Sequence, residues 1–598
     1  MASNRMQSTD AQLERTHPTS PTSNERKETH RERESSPPSF PCRWGPSTSA
    51  SPVEKKLPLW NRVCVSLVFD TNHFDGVGRD RKTKARMLAR VQVRWKHGCK
   101  RRTWNIRACG EKDGWKATPD RMRKLRGLYV LTDEIGTPDD VVVERVRDAL
   151  RGGARVVQYR HKGNQHEESV DVCRELAQIC KENGAIFLVN DRPELARDVD
   201  ADGVHVGQDD GTVQRARNVV GPGKVVGASC YGDVDRALKA VEQGADYVAF
   251  GSFFPSPTKP KSDVVPTHVI DEARQRGIKV PICAIGGLDH NSMPQMTPHV
   301  PDMYACVSAV WKGQDVVGNT KRLTMRTQEG LQEKIFQQLE QMKSKTPLVQ
   351  AITNYVTIND CANILLAIGA SPAMCESSDE AYGFSAISSA VYCNIGSLTK
   401  EQEHAILQAS RGAKEANVPM ILDPVGCAAI PRRIQYVDKV RSFGKVDVVK
   451  GNLGEIKALM GKASLVRGVD SLEEGTDGVE SCKALAQDWD CVVVATGKKD
   501  IITDGETVIL IDNGVELFTK ITGAGCMAGA LIAAFCGATT DLLVAAAAAH
   551  LCMGVAGELA FEQNKGNLPG SFRAHLMDQI YLLDENILRQ HGKVEILR

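Results

Sequence analysis

ARVVQYRHK, residues 154–162, is a short β-branched run that breaks off into charged side chains. Seven runs of the same kind accompany it: GLYVLT (127–132), AIFLVN (185–190), GVHV (203–206), KVVGAS (224–229), YVAFG (247–251), PICAIGG (281–287) and MYACVS (303–308). Amphipathic stretches such as DDVVVERVRDALRGG and SVDVCRELAQICKENG lie between them, with apolar residues at helical spacing and a closing glycine. Eight strand–helix repeats in about 190 residues predict an α/β architecture, a compact (β/α)8 TIM barrel, with an open doubly wound sheet as the alternative.

In such a barrel the chemistry collects at the C-terminal ends of the strands. The second run leads into Gln158, Tyr159, Arg160, His161 and Lys162, and the third into Asn190 and Asp191. The fourth carries His205 and leads to Asp210, and the fifth ends in Ser229. The sixth leads to Ser256, Pro257, Thr258 and Lys259, the seventh ends in Gly286 and Gly287, and the eighth in Val307 and Ser308. Arg160, Lys162 and Lys259 suit phosphate oxygens, Arg as a bidentate fork and Lys as a point charge. Asp191 and Asp210 are hard oxygen ligands from separate loops, a pair that suits Mg2+ shared with a pyrophosphate. Backbone N–H groups at Gly286 and Gly287 offer close approach to a second phosphate. His205 alone reads as a hydrogen-bonded core histidine, and Asp191 alone reads equally well as a helix cap. Three cations and two acids on one rim have no such structural reading.

The rest of the chain sorts by composition. Residues 1–120 hold 24 Lys/Arg against 13 Asp/Glu and five of the seven Trp, and the remainder holds 52 against 61. Up to about Pro52 the extension is dominated by Ser, Thr, Pro and Arg, which predicts disorder. Its basic stretch RDRKTKARMLARVQVRWKHGCKRR suggests a nucleic-acid or membrane arm, but a solvated, dispensable extension is the plainer reading. With a net charge of +2 the whole chain gives no reason to expect nucleic acid as a partner. The 18 Cys form no CxxC pair and sit among apolar neighbours, as in a reduced intracellular protein. The start has no apolar signal region, and six basic residues balanced by six acidic ones in the first 35 argue against a transit peptide. GAGCMAGALIAAFCGA (523–538) reads as a buried helix and not a membrane span.

The Pro-free segment TKRLTMRTQEGLQEKIFQQLEQMKSK reads as a connector running into a helix and leads to a second α/β unit near Thr346, with strands in PMILDPV, VDVVKGN and CVVVATG and a hairpin turning at Asp504-Gly505. ITGAGC (521–526), opening a helix of small residues, is its informative piece. Glycines bare the backbone N–H groups and the helix N-terminus adds partial positive charge, so a transferring phosphoryl group has a seat there. Tight Gly/Ala helix packing explains GAG alone equally well. Asn452 and Glu455 in NLGE suit Mg2+ held near ATP phosphates. There is no P-loop and no protein-kinase signature, which leaves a ribokinase-like kinase.

VQYRHK, VNDR, GVHVGQDD, GAS, PSPTK, AIGG and VSA, in that order, resemble thiamine phosphate synthase over about residues 125–315. That family joins hydroxymethylpyrimidine diphosphate to hydroxyethylthiazole phosphate on a (β/α)8 barrel and releases pyrophosphate. The resemblance implies that Gln158–Lys162, Asn190 and Ser229 hold the pyrimidine diphosphate and that Asp191 and Asp210 bind Mg2+. Ser256, Pro257, Thr258, Gly287, Val307 and Ser308 would take the thiazole phosphate, while Lys259 would contact the diphosphate. His161 and Ser256 stand where the pattern commonly has Glu and Thr; neither change removes a cation or a metal ligand. An aminopyrimidine can push electrons toward its methylene carbon as diphosphate departs, so no protein nucleophile is required.

ITNYVxxND, ASPAM, NIG, DPVG and GAGC resemble hydroxyethylthiazole kinase over about residues 345–590. The resemblance implies that Met374 and Gly523 contact the thiazole, Lys450 and Thr496 the nucleotide, and Cys526 the substrate alcohol, in the place where ribokinase-like relatives carry an Asp base. Lys450 replaces a frequent Arg, and CAAIPRR replaces a loop richer in Gly and Thr.

Together the two halves resemble the fused thiamine-biosynthesis enzymes of fungi. The expected organisation is a basic, disordered extension (1–120), a synthase barrel (121–322), a connector (323–345) and a ribokinase-like kinase domain (346–598). Cys526, Lys259 and Arg160 are the expected catalytic residues, Glu455 joins Asp191 and Asp210 as a metal ligand, and ATP is the co-substrate. The chain is expected to be cytoplasmic, with small-molecule substrates only, and to form a homo-oligomer built on kinase trimers. The competing readings are a phosphosugar barrel fused to another small-molecule kinase, and a catalytically dead thiamine sensor with a nucleic-acid arm.

Overall fold

The computed structural model describes residues 117–597, except 133–136, 162–165, 208–210, 257–262, 462–475 and 566. Lys162, Asp210, Pro257, Thr258, Lys259 and residues 1–116 of the extension therefore lie outside the described residues. All eight N-terminal runs are strands: β1 Gly127–Leu131, β2 Val156–Tyr159, β3 Ile186–Asn190, β4 Gly203–Val206, β5 Val225–Tyr231, β6 Tyr247–Phe250, β7 Ile282–Ile285 and β8 Met303–Cys306. They pair in parallel in sequence order, and β8 returns to β1, closing a barrel. Each strand alternates between two apolar layers, as a period of two requires. Leu128, Val130, Val157 and Phe187 face the surrounding helices, whereas Tyr129, Leu131, Val156, Ile186 and Tyr247 fill the interior.

Ala117 and Leu125 belong to that interior layer. The Ala117 amide donates to Asp246 Oδ1 at 3.0 Å and Thr118 caps the helix Pro119–Lys124. Residues 117–120 are thus part of the barrel, and the unit starts before the expected boundary at 121. Loss of one such cap costs about 1 kcal/mol. A chain starting at Glu111 is expected to keep its melting temperature and both activities; one starting at Leu125 is expected to melt several degrees lower, as thermal unfolding would show.

The segment expected as a connector at 323–345 belongs to one 30-residue helix, Val316–Lys345. Its Leu323 packs into the barrel core, while Leu331, Ile335, Leu339 and Met342 pack into the second core. Beyond it a nine-stranded sheet runs in the order β10-β9-β11-β12-β13-β14-β15-β16-β17. Its strands are β9 Leu348–Ile352, β10 Ser371–Ala373, β11 Ala390–Asn394, β12 Met420–Asp423, β13 Val448–Asn452, β14 Val492–Thr496, β15 Asp500–Thr503, β16 Val508–Ile511 and β17 Val594–Leu597. The pairs from β10 to β14 are parallel; β15, β16 and β17 continue antiparallel, the first two as the expected hairpin. Separate apolar clusters cover its two faces. The helix Leu542–Gln563 is long and apolar enough to cross a membrane, but 83% of its apolar window is buried inside the fold.

The two units touch through polar contacts. Arg126 holds both oxygens of Asp541 at 2.9 Å and Arg123 reaches Asp490 at 2.8 Å.

Candidate active sites

The barrel mouth is built at the strand ends. Asp191 follows β3 in a left-handed backbone conformation, φ 61°, which few non-glycine residues adopt and which concentrates at functional sites. Asn190 donates to its carboxylate, and Gln158 donates to Asn190. The backbone of Arg160 is locked by Thr132, whose hydroxyl accepts from the Arg160 amide at 2.8 Å and donates to its carbonyl at 3.1 Å. Burial lowers the Arg160 guanidinium pKa, and the charge of Asp191 opposes that shift. The Tyr159 and His161 rings stack with centroids 6.4 Å apart. On the far side, a Cβ on Gly286 would lie 2.0 Å from Ser252 Oγ and one on Gly287 2.6 Å from the Phe254 carbonyl, so only glycine passes beneath this loop. Val307 caps the short helix Ser308–Trp311, with Ser308 exposed, while Ser256 is half-buried. His205 is hydrogen-bonded to Tyr247 and Ser229, as a core histidine should be.

The second site lies where β11, β12 and β13 meet the helix Ala524–Cys536. Gly523 caps that helix with φ 86°, and a Cβ there would meet Thr357 Cγ2 at 2.8 Å. Cys526, in the first turn, receives Asn394 Nδ2 at 3.1 Å and Asn354 Nδ2 at 3.8 Å on its sulfur. A helix N-terminus by itself would lower this thiol. Burial instead raises it, the Asp423 charge adds to that, and Lys450 only partly opposes them. These effects hold Cys526 toward its neutral thiol form.

Asp423, at the end of β12, lies within PMILDPV, where the local pattern alone does not single it out. It is fully buried, and its Oδ2 accepts from Tyr392 at 3.0 Å, Asn394 at 3.2 Å and Lys450 at 3.4 Å. Its Oδ1 has no partner among the described residues. Glu455 accepts from the Asn452 amide at 2.9 Å, completing a capping box, and from the Gly426 amide at 2.6 Å, which ties the DPVG loop to the helix after β13. Burial raises both acids, and the charge of Asp423 raises Glu455 further. Two buried acids, one with an orphan oxygen, fit a divalent cation. Lys450 is buried beside Gly525, where a Cβ would come within 3.0 Å of its ammonium. Thr496 ends β14 with its hydroxyl on the Gly451 carbonyl at 3.4 Å, and Met374, after β10, packs on the core that contains Cys526.

The fold is thus a closed parallel barrel followed by an α/β domain with a glycine-capped helix of small residues and no P-loop in its sequence. The profile of the hydroxyethylthiazole kinase family matches residues 339–586, and that of thiamine monophosphate synthase matches residues 128–310. A hydroxyethylthiazole kinase of Desulfitobacterium hafniense is 57% identical over 267 residues, covering 45% of this chain and all of the relative. A solved hydroxyethylthiazole kinase of Pyrococcus horikoshii is 36% identical with a TM-score of 0.41, covering 44% of this chain and 99% of that one. A solved thiamine phosphate pyrophosphorylase of Pyrococcus furiosus is 35% identical with a TM-score of 0.32, covering 35% and 98%. The chain belongs to the hydroxyethylthiazole kinase family and carries a thiamine monophosphate synthase domain before the kinase.

Proposed function

We propose that this chain phosphorylates hydroxyethylthiazole with ATP and then condenses the thiazole phosphate with hydroxymethylpyrimidine diphosphate. The observation that carries the proposal is the presence of both domains on one chain, since one makes the phosphate ester that the other consumes. In the kinase, the bared N–H groups at Gly523–Gly525 and the Lys450 ammonium stabilise charge on the transferring phosphoryl group, and Thr496 contacts the nucleotide. Asp423 and Glu455 would hold Mg2+, which would supply charge neutralisation. Met374 and Gly523 border the thiazole, and Cys526 sits by its alcohol. In the barrel, Arg160, Lys162 and Lys259 take the diphosphate, Asp191 and Asp210 its Mg2+, and Ser256, Pro257, Thr258, Gly287, Val307 and Ser308 the thiazole phosphate.

A neutral Cys526 thiol makes positioning, not base strength, the main source of rate. Cys526→Ala is expected to lower thiazole phosphorylation only about tenfold and to leave condensation of pre-made thiazole phosphate unchanged, as product quantification by mass spectrometry would show.

We also infer a homo-oligomer built on kinase trimers. Tyr355 and Val356, 59% and 63% exposed, lie between Asn354, which contacts Cys526, and Thr357, which faces Gly523. Such apolar exposure beside the site suits a covering subunit. Light scattering is expected to give a multiple of three chains; an active monomer at assay concentration would contradict this. The fourteen described cysteines are all free, which suits a reducing, cytoplasmic setting. The proposal is tested by supplying each half-reaction separately: thiazole with ATP, and thiazole phosphate with pyrimidine diphosphate but no ATP. Failure of either half removes the corresponding assignment.

A further inference from the structure

One chain of hydrogen bonds runs from Asp191 across the barrel interior to Ser229. Asp191, as a carboxylate, only accepts, so the Asn190 amide nitrogen faces it and Asn190 Oδ1 faces Gln158 Nε2. Gln158 Oε1 must then receive the Tyr129 hydroxyl, 2.6 Å away. With that single proton committed, Tyr129 Oη accepts from Tyr247 at 2.9 Å. Tyr247 in turn has no proton left for His205 and must accept from its Nδ1–H at 2.7 Å. His205 Nε2, 2.9 Å from Ser229 Oγ, is left as the acceptor of the serine proton.

We infer that Tyr129, Tyr247 and His205 are positioning residues whose one-way chain holds Ser229 with its oxygen lone pairs toward the mouth and fixes the Gln158 amide. Those lone pairs would receive an N–H donor of an aminopyrimidine. Tyr129 and Tyr247 are almost wholly buried, and the phenol of Tyr247 fills the space a side chain on Gly227 would need, since a Cβ there would lie 2.3 Å from Tyr247 Oη. Glycine at 227 is thus what admits the hydroxyl to the barrel axis. The inference rests on the synthase reading of the barrel.

The test uses the full chain. Tyr247→Phe keeps the ring and removes the link. The expected result is a KM for pyrimidine diphosphate raised about tenfold, with the KM for thiazole phosphate and the kinase activity within twofold of wild type. His205→Gln, whose carbonyl can still accept from Ser229, is expected to keep a lower pyrimidine KM than His205→Asn. Imidazole 15N shifts, assigned by the resonance lost in His205→Gln, are expected to show the neutral Nδ1–H tautomer. An unchanged pyrimidine KM in folded Tyr247→Phe, equal shifts of both substrate KM values, or an Nε2–H or doubly protonated His205 would overturn the inference. The tautomer is read without turnover: if Tyr247→Phe does not fold, it still decides. Absence of synthase activity in the wild type would instead remove the reading beneath.

Discussion

Asp191→Ala is expected to reduce thiamine phosphate formation by at least about a hundredfold while phosphorylation of hydroxyethylthiazole stays within twofold. The site would lose a carboxylate that would hold Mg2+ for charge neutralisation of the departing diphosphate, and Asn190 would lose the acceptor that orients its amide. Asp191 also holds a left-handed backbone, which an alanine adopts at a cost. Asp191→Asn separates the two causes, because Asn tolerates that conformation but binds a hard cation poorly. Both variants are expected to be inactive in condensation, as measured from pre-made thiazole phosphate. A parallel fall in kinase activity would contradict independent sites.

Asp423→Asn is expected to lower kinase turnover by at least about a hundredfold and spare the condensation. The substitution removes the buried charge that pairs with Lys450 and the orphan oxygen offered to a cation, yet it preserves volume at the end of β12. The effect should exceed that of Cys526→Ala. If Cys526→Ala proved the more damaging, the sulfur would have a chemical role beyond the one assigned.

The barrel was legible because each strand is a β-branched run with a polar terminus, and the runs recur at a spacing that leaves room for one helix. The four-residue β17, VEIL, carries no comparable signal; its pairing with β16 is fixed by the fold around it. The helix Val316–Lys345 was legible in its second part, but its first turns read as connector because threonines 320, 324 and 327 supply part of the buried face, where apolar residues are the usual mark. Asp423 did have a signal, an acid closing an apolar strand before Pro-Val-Gly, but its weight depends on Lys450, 27 positions away. The ionisation of Cys526 is not legible locally for the same reason: the sequence announces a helix N-terminus, whereas burial and the distant Asp423 carboxylate raise the thiol. His205 read correctly as a satisfied core residue, although only the folded barrel reveals what satisfies it.

The central claim, that one chain makes a phosphate ester and consumes it, is tested most directly in a single vessel. Purified protein is mixed with hydroxyethylthiazole, hydroxymethylpyrimidine diphosphate and Mg2+, and thiamine phosphate is followed by mass spectrometry with and without ATP. The account predicts thiamine phosphate only when ATP is present, with one pyrophosphate released per product, and recovery of ATP-independent synthesis when thiazole phosphate replaces the alcohol. No thiamine phosphate from either starting point would contradict it.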